Sequence, residues 1–253
     1  MQEMIHMLTS QKTVREIALE QPHSIRVFEQ FGIDYCCGGR MPLNEACAAR
    51  ELAVDQVLAE LDSAGASIAP VPTDWAQDTM RALIDHIVTT HHAYVKAELP
   101  RLATLAQKVV HRHGATQAHL PALQKIVAQL DTELMQHLAK EENILFPYIA
   151  GLEASISGQA APPHACFGAV SNPIAMMMSE HEAAGELLAE IDQLSDHFTP
   201  HAGACPTYHA YYNALKEFEL DLHQHIHLEN NILFPRALDM EASARAKLLH
   251  AGE

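Results

Sequence analysis

The chain has 253 residues, enough for one large domain or two smaller ones. A hydrophobic fraction of 48% with only 11 Gly and 13 Pro supports a packed core and argues against disorder. With 32 acidic against 16 basic residues, the formal net charge of −16 repels phosphate backbones and argues against nucleic acid as a partner.

Residues 9 to about 64 read as a small helical domain. Thr13-Val14-Arg15-Glu16 is a capping-box pattern that opens a helix. Ser24 to Phe31 reads as a second helix, with Gly32 suited to end it. Asp34-Tyr35-Cys36-Cys37-Gly38-Gly39 follows, a tight segment with permissive glycines. Pro42 fits the first turn of a third helix, and a fourth runs from about Val54 to Ala64. Residues 65–74 have linker composition, with Thr73 or Asp74 capping what comes next. Four long helices are then expected near 75–112, 119–150, 172–198 and 206–240, with Pro100 kinking or dividing the first. The connection at 151–173 is long for a bundle. No segment shows sustained β-type alternation. The predicted fold is all-α: an N-terminal helical domain over 1–64, a linker, and an up-down four-helix bundle over 75–253.

One pattern occurs twice. His137 precedes Glu141 by four residues, and Ile144-Leu145-Phe146-Pro147 follows. His225 precedes Glu229 by four, and Ile232-Leu233-Phe234-Pro235 follows. On an α-helix, residues four apart share a face. Each pair can therefore aim one imidazole and one carboxylate at the same point. A single such pair is an ordinary solvated contact. Two copies with the same apolar tail point to a core-facing metal site, because buried His and Glu need partners. The other two bundle helices each offer a His beside an acidic residue, in Asp85-His86-Ile87 and Glu180-His181-Glu182. His91 and His92 fall off the face chosen for His86, and His227 off that of His225. The expected donors are thus His86, His137, Glu141, His181, His225 and Glu229. Two metals sharing both carboxylates would each have two imidazoles and two carboxylate oxygens, with a solvent-derived oxygen to complete the bridge. That set suits a non-haem, oxo- and carboxylate-bridged pair of iron ions.

The five cysteines are Cys36, Cys37, Cys47, Cys166 and Cys205. An odd number without a secretory signal argues against a disulfide framework and for a reducing compartment. No apolar run is long enough to span a membrane. The expectation is a cytoplasmic chain with no membrane partner; a homodimer is compatible with it.

The bundle resembles a hemerythrin-like cation-binding domain. With the Asp-Tyr-Cys-Cys-Gly-Gly motif ahead of it, the chain resembles the repair-of-iron-centres family of iron–sulfur cluster repair proteins. The resemblance runs from about Thr13 to Leu238 and includes Ile84-Asp85-His86-Ile87, Lys140-Glu141-Glu142, the stretch from Ser179 to Leu188 and the stretch from Leu228 to Leu238. It implies a di-iron centre on the same six donors, with Glu133 and Glu180 as carboxylates lining a route to it. It also implies recovery of clusters from nitrosative and oxidative damage. Damaged or apo iron–sulfur proteins would then be partners, and nitric oxide or oxygen small ligands. It favours a functional Cys36–Cys37 pair, exposed at a sharp turn and carried toward the centre on the 65–72 linker to accept iron or nitric oxide. Oxygen-carrying hemerythrins place an aspartate five residues past the last-helix histidine, where this chain has Asn230, which argues against a stable oxygen carrier. Nitric oxide reduction at the centre, sensing of oxygen or nitric oxide, and iron buffering are the competing functions.

Overall fold

The computed structural model describes residues 10–66 and 75–250, and among these it is helical with no strand. The chain divides into two compact units. The first comprises residues up to Thr79 together with Ile226–Ile232; the second comprises Met80–His225 and residues from Leu233 onward.

The first unit holds α1 (Val14–Glu20), α2 (Ser24–Phe31), α3 (Leu43–Ala49) and α4 (Val54–Ala66). Local chemistry fixes their ends. Thr13 and Glu16 form the reciprocal capping box of α1, and Gly32 terminates α2 at φ 63, a left-handed conformation that glycine adopts without strain. Val14, Ile17, Phe28, Tyr35, Leu43 and Leu61 form part of one buried cluster. Within the same unit, Asn231 Nδ2 donates to the Tyr35 carbonyl at 3.0 Å and lies 2.9 Å from His227 Nδ1. The Tyr35 and His227 rings meet edge to face at 5.4 Å. The Arg15 guanidinium donates to the Asn231 carbonyl at 3.1 Å.

The second unit is built on four long helical stretches. The first runs through α5 (Met80–His86), a π-helical turn (Ile87–His92) and α6 (Ala93–His113). The second runs through α7 (Leu120–Lys140), a π turn (Glu141–Leu145) and α8 (Phe146–Ile156). The third is α9 (Ser171–Leu194). The fourth runs through α10 (Pro206–Leu228), a π turn (Glu229–Leu233) and α11 (Phe234–His250). α7 packs against both α6 and α9.

Three expectations need correction. Pro100 does not divide its helix: α6 runs through it, with Val95, Leu99 and Leu102 buried on either side. Burial there offsets the ~3 kcal/mol that an interior proline costs a helix. The first bundle helix starts at Met80, not near 75. Its free N–H groups are satisfied by Glu153 of α8, whose carboxylate accepts from Met80 N at 2.7 Å and Arg81 N at 3.0 Å. Finally, α8 continues through Gly151 to Ile156, so the irregular connection is only 157–170. Its end is pinned by the buried Glu241, which accepts from Tyr148 Oη at 2.8 Å and Val170 N at 3.0 Å. The expected Thr73 or Asp74 cap lies outside the described residues, as does most of the linker.

His227 titrates abnormally. Burial pushes its pKa down to about 4, against a hydrogen bond with the Tyr35 backbone that acts to raise it. A folded-state pKa below the unfolded value means that the unfolded chain takes up a proton that the folded chain refuses. The stabilisation is therefore complete above about pH 6.5 and is lost as pH falls toward 4, with a slope of up to about 1.4 kcal/mol per pH unit. Imidazole NMR should find His227 neutral at pH 5, and a His227 that protonates near pH 6.5 would contradict the burial argument.

Candidate metal centre

Among the described residues, two groups of donors converge. His92, Glu141, His225 and Glu229 form one, and His137, Glu141, His181 and Glu229 the other. Within each group the donor atoms lie within 4.8 Å of one another. Both carboxylates belong to both groups. Each glutamate lies one turn beyond its histidine, as four-residue spacing requires. Glu141, Glu229 and His92 are 0% exposed, and His137, His181 and His225 are buried.

The geometry fits a pair of metal ions. His92 Nε2 lies 3.1 Å from His225 Nε2, and His181 Nε2 lies 3.0 Å from His137 Nε2. Two nitrogens bound to one metal at about 2.1 Å and a near right angle are about 3.0 Å apart. Tautomers agree with this. His92 Nδ1 is 2.8 Å from Glu142 Oε1, and His137 Nδ1 is 2.9 Å from Glu180 Oε2. An ionised carboxylate only accepts, so each Nδ1 carries the proton and each Nε2 turns its lone pair inward. Those lone pairs face the Glu141 carboxylate, with Oε2 3.5 Å from His92 Nε2 and 3.3 Å from His137 Nε2. Lone pairs and a carboxylate at these distances repel one another unless a cation stands between them.

His92 replaces His86 in this assembly. His86 belongs to neither group. It is half-buried, with Nδ1 3.2 Å from Thr90 Oγ1 and its ring edge-on to His91 at 5.5 Å. Burial, then the neighbouring His91, lowers its pKa. The π turn accounts for the difference. In an α-helix, residues five apart are offset by about 140°. In a π turn the i→i+5 hydrogen bond brings them to one face. Ile87 and His92 are five apart across such a turn, and both are fully buried. The sequence carried the donor in His91-His92, but α-helical counting turned it away. His91 has a supporting place: its Nδ1 is 2.9 Å from Asp221 Oδ1, and its ring stacks on His225 at 5.7 Å. His227 belongs to neither group; its ring meets Tyr35 and its Nδ1 lies 2.9 Å from Asn231 Nδ2.

Glu133 and Glu180 line a pocket of about 160 Å³ together with Gln136, His137, Lys140 and His181. Glu133 is exposed and accepts from Gln129 Nε2 at 2.9 Å. Burial acts to raise the Glu180 carboxyl, but hydrogen bonds from Lys140 and His137 outweigh it and hold it below its usual range.

The cysteine pair differs from the expected exposed turn. Asp34 organises it: Oδ1 accepts from Cys36 N at 2.9 Å and Cys37 N at 3.0 Å, and Oδ2 accepts from Gly38 N at 2.8 Å. A Cβ on Gly38 would stand 2.9 Å from Asp34 Oδ2, and one on Gly39 would stand 2.7 Å from the Tyr35 carbonyl oxygen, so the turn needs both glycines. Cys36 is 5% exposed, whereas Cys37 is half-buried. The hydrogen bond to Cys37, burial and the charge of Asp34 push the Cys36 thiol well above its ordinary pKa. All five cysteines are free.

Residues 83–237 match the Hemerythrin HHE cation binding domain, and residues 10–65 match a domain of unknown function, DUF542. The chain belongs to the hemerythrin HHE family. Over 224 residues it is 41% identical to the iron–sulfur cluster repair protein YtfE of Enterobacter sp. (strain 638), covering 88% of this chain and 94% of that protein. It is 40% identical over 223 residues to the proteins of the same name from Escherichia coli O81 (strain ED1a) and Escherichia fergusonii, with the same coverage. No helix among the described residues is long and apolar enough to cross a membrane.

Metal analysis of protein made in iron-replete cells should separate the two histidines. His92→Ala should lower iron content, because it leaves its buried donor group a single imidazole, His225, while His86→Ala should retain the parent content. Equal iron loss in both variants would contradict the placement of His92.

Proposed function

We propose that this chain repairs iron–sulfur clusters damaged by nitrosative or oxidative stress, delivering iron from the buried His/Glu centre to damaged or apo iron–sulfur proteins. The observation that carries this reading is the pair of donor groups with two shared, fully buried carboxylates. It is supported by 88% coverage of this chain in alignment with proteins named for cluster repair.

In this reading His92 and His225 hold one iron, and His137 and His181 the other. Glu141 and Glu229, which belong to both donor groups, would be shared between them, and a solvent-derived oxygen would complete the set. The donor set suits iron: imidazole and carboxylate together hold it without the thiolates that would select softer ions. When bound, the iron pair supplies a redox-active centre to which small ligands such as nitric oxide and oxygen can bind. Glu133 and Glu180 set negative charge along the pocket beside His137 and His181, which favours passage of a cation over an anion. Cys37 is the thiol assigned to receive iron or nitric oxide. Cys36, buried and held protonated, supports the turn. A reducing cytoplasm suits the free thiols.

The test mixes iron-loaded protein anaerobically with an apo iron–sulfur protein and, in parallel, with nitric oxide and a reductant. Cluster should form faster than with an equal amount of free iron(II), starting from about two irons per chain. Cys37→Ser should leave the iron content intact and slow the transfer. Sustained nitrous oxide production without cluster formation would instead make the protein a nitric oxide reductase. One metal per chain, mostly zinc, would defeat the dinuclear reading.

A further inference from the structure

One arrangement of side chains occurs twice around the centre, outside the six donors. His92 and Lys96 lie one turn apart on the first bundle helix and grip Glu142 of the second. Lys96 Nζ is 2.6 Å from Glu142 Oε1 and 2.7 Å from Oε2, and the same Oε1 is the acceptor for His92 Nδ1. His137 and Lys140 lie one turn apart on α7 and grip Glu180 of α9. There Lys140 Nζ pairs with Glu180 Oε1, while Oε2 accepts from His137 Nδ1 at 2.9 Å. In both cases the gripped glutamate adjoins a donor in sequence: Glu142 follows Glu141, and Glu180 precedes His181. All of these residues lie in the second unit.

We infer that Lys96 and Lys140 are positioning residues, each locking a carboxylate onto the Nδ1–H of one donor histidine and so governing retention of one ion. Lys96 serves the His92–His225 ion and Lys140 the His137–His181 ion. The inference rests on the dinuclear reading above. A carboxylate on its own can turn to water, and Glu142 and Glu180 are 24% and 30% exposed. The lysine holds one oxygen and thereby aims the other, or a shared lone pair, at the imidazole. The lysine side chains are 40% and 38% exposed, so these ion pairs contribute little to folding. Their effect falls on the ligand: supporting groups that orient a metal-bound histidine alter metal affinity about 10- to 100-fold. Charge alone predicts the opposite sign, because removing a lysine cation beside two metal cations strengthens their binding.

The experiment uses the iron(II)-loaded full chain and follows anaerobic iron release to a chromogenic chelator in the parent, Lys96→Met, Lys140→Met, the double Met variant, and Lys96→Arg and Lys140→Arg. Each single Met variant should keep the parent's helical content and melting temperature. It should release one of its two ions about 10-fold faster or more, and the other at the parent rate. The double variant should release both faster, and the Arg variants should return toward the parent. Release at the parent rate or slower in the Met variants would overturn the positioning role. Acceleration of only one ion in the double variant would overturn the assignment of one lysine to each ion. A parent protein that takes up a single ion would defeat the dinuclear reading itself, an outcome that the stoichiometry of the parent alone reveals.

Discussion

Two carboxylates with no exposed surface sit at the centre of this fold. Glu141 and Glu229 are each 0% exposed and surrounded by imidazoles. Burial of an unpaired carboxylate costs several kcal/mol or more. The helices that carry these residues must therefore bring cationic or metal-bound partners to them, or the site does not stay folded. The backbone is adapted to the same requirement. Glu141 and Glu229 are the first residues of their π turns, and His92 is the last residue of its own. A π turn inserts a residue into an α-helix and re-aims the side chains that follow, at some cost in regularity. Here all three coincide with donors. The apolar tails after each glutamate then resume α-helical packing, with Leu145, Phe146, Leu233 and Phe234 buried.

That backbone pattern explains which parts of the site were legible in the sequence. His137–Glu141 and His225–Glu229 each lie in regular α-helix up to the glutamate, where four-residue spacing puts both members of a pair on one face. The donor on the first helix lies beyond a π turn, and spacing counted at 3.6 residues per turn selected His86 in place of His92. Leu83, Ile84 and Ile87 are buried, and His92 joins Ile87 on that face only by way of the i→i+5 turn. Nothing local in Ile87-Val88-Thr89-Thr90-His91-His92 announces such a turn, because what stabilises it is the assembled site.

The fold shows the same division between local and distant causes. The capping box at Thr13 and the left-handed Gly32 are decided by neighbours in sequence, and both ends were read where they occur. The start of α5 is decided by Glu153, more than seventy residues away, and it was misplaced. Pro100 is a strong local breaker overruled by the burial of Leu99 and Leu102. The Asp34-Tyr35-Cys36-Cys37-Gly38-Gly39 segment lies between these cases. Its glycines were correctly taken to permit a tight turn, yet the reason is specific: Asp34 folds back on three backbone N–H groups, and a side chain at Gly38 would occupy the space of its carboxylate. The same fold-back draws Cys36 inward. Adjacent thiols in one turn therefore differ in access: Cys36 is 5% exposed, whereas Cys37 is half-buried.

One supporting carboxylate has two places in the structure: Glu180 holds a donor histidine and lines a pocket. Glu180 orients His137 through Nδ1, is fixed by Lys140, and also lines the pocket with Glu133 and Gln136. Lys140 and Glu180 both line this wall, so the carboxylate that holds His137 is also part of it. On the other side, Glu142 and Lys96 make the equivalent grip on His92, and neither residue lines that pocket. The two donor groups are nearly equivalent in their ligands but differ in what their supporting carboxylates do. A centre whose purpose was permanent storage of two equal ions would gain nothing from that asymmetry. For the proposed delivery of iron to a client, this asymmetry puts the supporting carboxylate and the pocket together on the His137–His181 side.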